Sequence, residues 1–118
     1  MTPIDLDPID DEAAAYVIRG GRPISGTVKP GGNKNAALPM LAACLLSSGG
    51  VTLSNVPQIR DVRMMLRLIA ALGADVEELS PDRWRVSAAQ LSSRALEPVL
   101  AREIRASFLL AGPLVARW

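Results

Sequence analysis

The segment Lys29-Pro-Gly-Gly-Asn-Lys-Asn-Ala-Ala-Leu-Pro39 joins a β-prone run to an alanine-rich run and delivers Lys34 and Asn35 to the start of a helical pattern. Free backbone N–H groups and the positive end of a helix dipole make such a junction favourable for a phosphate or carboxylate. Lys34 adds a full charge on a flexible stem. Asn35 offers both a donor and an acceptor, suited to a sugar's amide or hydroxyls. The spacing is not that of a P-loop, which needs Ser or Thr directly after its lysine; here Asn35 follows. A plainer reading takes Gly31-Gly32 as a turn and Asn35 as a helix cap. On spacing alone both readings stand.

A second candidate is Arg102-Glu-Ile-Arg-Ala-Ser107. Arg102 and Arg105 lie three apart and would neighbour each other on a helix. The small Ala106 and Ser107 after Arg105 would let a ligand come close, and a guanidinium there can grip phosphate or carboxylate through two bonds. The alternative is a solvated Arg/Glu face. Arg60, Arg63 and Arg67 read as the wet face of a helix. Cys44 lies in an apolar run with no cationic neighbour to lower its pKa and reads as core; Met64 and Met65 read as gap-filling core residues. The chain has no His, which removes Ser-His triads, the commonest general base and most zinc sites.

The elements that must position these groups follow from local pattern. Residues 1–15 hold two prolines and five acids and are expected to form a mobile acidic tail. Runs 16–19 and 24–29 flank Gly20-Gly21 and read as an opening β-hairpin spanning 16–33. Leu38, Leu41, Ala42, Leu45 and Leu46 trace a helical stripe that should start near 35–37, since Pro39 is cheap only in a first turn. A short strand is expected at 51–55. A second helix follows, with Asp61 as its N-cap, Val62, Met65, Leu66, Ile69 and Leu72 on one face, and Gly73 as a left-handed stop. Runs 74–79 and 83–87 alternate around Ser80-Pro81-Asp82 and read as another hairpin. A last helix, about 98–116, should kink at Gly112-Pro113. Its end, 106–118, carries only Ser107 and Arg117 as ionic or hydroxyl side chains, an apolar surface that something should cover.

Bulk properties narrow the class. A length of 118 residues allows one small domain. Net charge is +1, aromatics are 3%, and no basic run exists, so a nucleic-acid groove and a polybasic membrane patch are both excluded. The acidic start is the opposite of a signal peptide, and no apolar run reaches the roughly 18–20 residues that cross a bilayer. The single cysteine excludes an internal disulfide and fits a reducing, cytoplasmic compartment.

Four collinear blocks, ISGTVKPGGNKNAALP (24–39), LSNVPQIRDV (53–62), LGADV (72–76) and IRASFLLAGPLVAR (104–117), together resemble the start of the UDP-N-acetylglucosamine enolpyruvyl transferase family. The resemblance implies an α/β fold: a β-α-β-α-β-β unit of that family's inside-out α/β barrel, here incomplete. It implies transfer of the enolpyruvyl group of phosphoenolpyruvate to the 3-hydroxyl of UDP-N-acetylglucosamine, with release of phosphate, the first committed step of peptidoglycan synthesis. Lys34 matches the family's lysine that binds phosphoenolpyruvate, Asn35 its asparagine on the amino sugar, and Arg105 its arginine at the substrate site. No metal or organic cofactor is implied.

The same resemblance assigns the 16–33 hairpin to one domain of the full enzyme and 34–118 to the other, as a first α/β unit and a truncated start of the next. The family's general acid, a Cys or Asp on a mobile loop, falls after Trp118, as do its acidic base and further arginines. No catalytic residue is therefore expected within the chain, and Cys44 does not match the acid. Alone, the piece is expected to be inactive without the missing C-terminal portion. An aromatic frequent in the family's arginine helix is Leu109 here. The shikimate-pathway sibling has Ser after its lysine and an Arg soon after; here Asn35-Ala36-Ala37 follows and no Arg appears until Arg60. A non-catalytic assembly module using the apolar final helix is the alternative of another class.

Overall fold

Helix α1 (Lys34–Ala43) opens at Asn33, whose extended backbone (φ −100°, ψ 132°) stops the chain from winding earlier and whose side-chain oxygen accepts the Asn35 N–H at 2.7 Å. The capping asparagine is thus Asn33 and not Asn35, and the helix starts one residue sooner than the sequence pattern suggests. Pro39 consequently sits in the second turn, on the exposed side. It has no N–H to give to the Asn35 carbonyl. This architecture comes from a computed structural model that describes residues 17, 20–21, 23–92, 95–96 and 98–118. The acidic 1–15 stretch and nearly all of the 16–19 run lie outside the described residues.

Ala37, Leu38, Leu41 and Ala42 are buried, and Leu45 follows them in a 3₁₀ turn, Cys44–Leu46. Leu46, expected on the same stripe, is more than half exposed. The tighter winding advances about 120° per residue in place of about 100° and rotates it outward. Helix α2 (Arg60–Ala71) buries the expected Val62, Met65, Leu66 and Ile69, and also Met64 and Leu68. It is covered on more than one side, with Arg60, Arg63 and Arg67 left to solvent as expected. Ile59 occupies its capping position and makes no side-chain bond. Asp61, expected there, lies within the first turn.

Strands β2 (Asp75–Ser80) and β3 (Arg83–Ser87) form the expected hairpin, and β1 (Gly50–Leu53) pairs with the far edge of β3, giving an antiparallel sheet of order β1-β3-β2. Val51 and Val76 flank Val86 in register. Together with Leu53 and Trp84 they make the inward face, which meets the helices in one core. Two glycines allow close approaches. A Cβ on Gly32 would stand 1.9 Å from the Asn55 carbonyl oxygen, and one on Gly73, whose φ is +97°, would stand 2.3 Å from Ser92 Oγ.

Two expected elements also differ. Residues 24–29 form no strand: Ile24 and Val28 are 100% and 88% exposed, and no described strand runs beside them. Alternating side chains supply a face but no hydrogen-bonding neighbour, and a lone strand is not stable in water. The described order therefore begins with a helix within the mixed α/β class. The last helix is also not continuous. Helix α3 (Pro98–Glu103) stops at Ile104, which is extended (φ −138°, ψ 133°). A 3₁₀ segment, Arg105–Leu110, leads into α4 (Ala111–Arg117). The break falls at Ile104 because that side chain is drawn into the core. Pro113 lies in the first turn of α4, where its missing N–H costs little. Arg117 then clasps the end of α4 to the body, donating to the carbonyls of Leu45 (3.1 Å) and Ala88 (2.9 Å). Among the described residues no helix is long and apolar enough to cross a membrane.

Candidate functional site

The first turn of α1 points Lys34 and Asn35 away from the core, because the helix buries the opposite face through Ala37, Leu38, Leu41 and Ala42. Facing them is the start of the 3₁₀ segment. There the extended Ile104 turns the chain and presents Arg105 beside the small Ala106. Lys34, Asn35 and Arg105 line one open cleft of about 570 Å³. Its apolar surface comes from Leu38, Pro39, Ile104, Phe108 and Leu109, and two carboxylates, Asp61 and Glu103, complete the wall.

The charges in this cleft are unevenly engaged. The Lys34 ammonium pairs with the Asp61 carboxylate, with side chains 51% and 31% exposed. Glu103 is held from the other side by Arg60. Arg105 is exposed and its side chain has no ion pair or hydrogen bond among the described residues. Both ion pairs are too wet to add much stability, since exposed pairs contribute about 0.2–1 kcal/mol. Arg102 does not join the cleft. The extended backbone at Ile104 breaks the helical spacing that would have set it beside Arg105. Ser107 donates to the Ala101 carbonyl at 2.9 Å and ties the turn back onto α3.

Chemically, the cleft is lined by two cations, an amide side chain and a partly apolar surface. Such an arrangement can hold a small molecule carrying two anionic groups and read a neighbouring amide or hydroxyl. Cys44 is elsewhere. It is buried, its thiol donates to the Met40 carbonyl at 3.2 Å, and burial pushes it above the usual thiol range, as suits a core residue.

Lys34, Asn35 and Arg105 are the cleft residues expected from the sequence; Asp61, Glu103 and Phe108 join them only in the fold. Asp61 carried a signal, an acid in the first turn of a helix, but that signal points equally to a cap. Only the packing of α2 beside α1 brings it to Lys34.

The EPSP synthase (3-phosphoshikimate 1-carboxyvinyltransferase) family model matches residues 18–118. The chain is 46% identical to the UDP-N-acetylglucosamine 1-carboxyvinyltransferase of Bradyrhizobium diazoefficiens over 102 residues, covering 86% of this chain and 24% of the relative. It is 44% identical to the protein of the same name from Treponema denticola, with the same coverage of each. The crystal structure of the enolpyruvyl transferase NikO from Streptomyces tendae is similar with a TM-score of 0.69 and 28% identity, over 83% of this chain and 23% of that one. The chain spans about a quarter of the length of the curated relatives it matches.

Proposed function

This chain belongs to the EPSP synthase family of carboxyvinyl transferases, and from that premise we propose that it is the opening part of a UDP-N-acetylglucosamine 1-carboxyvinyltransferase. The reaction would move the enolpyruvyl group of phosphoenolpyruvate to the 3-hydroxyl of UDP-N-acetylglucosamine and release phosphate. The enzyme would act in the cytoplasm at the first committed step of peptidoglycan synthesis. The observation that carries this reading is the meeting of Lys34 and Asn35, from α1, with Arg105, from the distant 3₁₀ segment, on one cleft.

In that cleft Lys34 and Arg105 would share the phosphate and carboxylate charges of phosphoenolpyruvate. Cations already in place also favour the charge that grows on a departing phosphate, without waiting for solvent to reorganise. Asn35 would read the amide or a hydroxyl of the amino sugar. The proton donor and the facing wall of the site would come from sequence outside this chain. The amino-sugar acceptor is preferred over shikimate phosphate for two reasons: Asn35-Ala36-Ala37 follows the lysine, and the similar relatives carry the amino-sugar name.

The test is Lys34→Ala in the full-length enzyme. Phosphoenolpyruvate binding, followed by titration calorimetry, is expected to weaken by about 1.5–3 kcal/mol, the worth of a hydrogen bond to a charged group. Unchanged affinity would remove Lys34 from the site.

A further inference from the structure

Lys34 is not an idle charge waiting for a ligand. Its ammonium is taken up by Asp61, and both side chains line the cleft with Arg105. The other carboxylate of the wall, Glu103, is engaged by Arg60. Among the described residues, an anion entering the cleft therefore meets one unengaged cation, Arg105, and one whose charge is already answered.

We propose that Asp61 is an exchangeable counter-ion that makes the cleft selective for ligands with two anionic charges: it holds Lys34 in the empty site and gives it up only to a phosphate or second carboxylate. This deepens the reading of the cleft as a substrate site and rests on it. A ligand with one negative charge is satisfied by Arg105 and leaves the Lys34–Asp61 pair closed. A ligand with a second anionic charge competes for the ammonium directly. The exchange is cheap because the pair is half wet, so little is lost on opening it. The released carboxylate also keeps a favourable place in the first turn of α2, next to the positive end of that helix. Asp61 nevertheless remains near the bound anion, and its repulsion sets a threshold that a weakly charged ligand does not pass.

The experiment titrates inorganic phosphate and, separately, acetate into the 118-residue chain, following the backbone amide shifts of Lys34, Asn35 and Arg105 by NMR. Asp61→Asn is expected to tighten phosphate binding about three- to tenfold, the scale of removing one charge at close range in a partly wet site. It should tighten acetate at least as much, so that the preference for phosphate shrinks. Lys34→Ala should weaken phosphate, and adding Asp61→Asn to Lys34→Ala should recover little. Thermal melting checks the fold, and Asp61→Ser, which also suits a helix start, replaces the Asn variant if that one melts too low. Two results overturn the counter-ion while leaving the cleft standing. One is a Lys34→Ala loss accompanied by unchanged or weaker phosphate binding in Asp61→Asn. The other is an Asp61→Asn gain of equal size with and without Lys34, which would reveal simple repulsion with no exchange. Indifference of phosphate binding to Lys34→Ala removes the cleft reading itself.

Discussion

Lys34 reaches the cleft from a ten-residue helix whose far side is packed into the core, whereas Arg105 reaches it from a break between two short helices, neither of which buries a residue fully. On the first side the backbone is held by regular hydrogen bonds, by the Asn33 cap and by contact with α2. On the second, Ile104 and Leu110 are the buried anchors. The Ser107 and Arg117 bonds to backbone carbonyls supply the rest. Elements with few buried contacts open at lower free energy than the core they lean on. One wall of the cleft is therefore set by the fold, and the other is adjustable.

The largest expected effect tests the fixed wall. Leu41 is fully buried between α1 and the rest of the core, so Leu41→Ala leaves a cavity and should cost about 2–5 kcal/mol in a urea titration. Phe108, 82% exposed, gives the contrast: its replacement by Ala should change stability by less than about 0.5 kcal/mol. If the two variants cost the same, the cleft does not have one firm and one loose side.

Ile104→Ala comes next and addresses the adjustable wall. The side chain is nearly buried at the break, and its loss should cost about 2 kcal/mol. What distinguishes it is where the loss is felt. Amide hydrogen exchange should speed through α3, the 3₁₀ segment and α4 while α2 and the strands keep most of their protection. Uniform acceleration over the whole chain would mean that the tail and the core unfold as one unit.

The same contrast explains what could be read from the sequence. Helices α1 and α2 and the β2–β3 hairpin are marked by signals within a dozen residues: apolar spacing, Gly73, the Pro81-Asp82 turn. Lys34 and Asn35 stand out for the same reason, since a glycine loop before a helix is local. The stretch at 24–29 has the alternation of a strand, but alternation says nothing about a neighbour to pair with. Gly112-Pro113 is the loudest breaker in the tail, yet the chain breaks at Ile104, a residue with no breaking signature. There the pull of the core on one β-branched side chain outweighs local preference. The Lys34–Asp61 pair was equally hidden, because it depends on how two helices lie side by side. Arg105 was legible as a residue type but was misplaced on a helical face it does not share with Arg102.

The smallest effect sharpens the comparison at the cap of α1. Asn33→Ala removes the acceptor for the Asn35 N–H and should lower stability by about 1 kcal/mol, seen as a shift in the urea midpoint. Phosphate affinity should barely move, because the buried face of α1 still sets where Lys34 stands. Asn33→Asp should do the reverse. It keeps a capping oxygen and places a carboxylate at the positive end of the helix, so stability holds or rises. It also sets a negative charge next to Lys34, so phosphate binding weakens. Stability and affinity would then separate at a single position. If both variants instead moved the two quantities together, Lys34 would depend on the cap as loosely as Arg105 depends on the tail, and the distinction between the walls would fail.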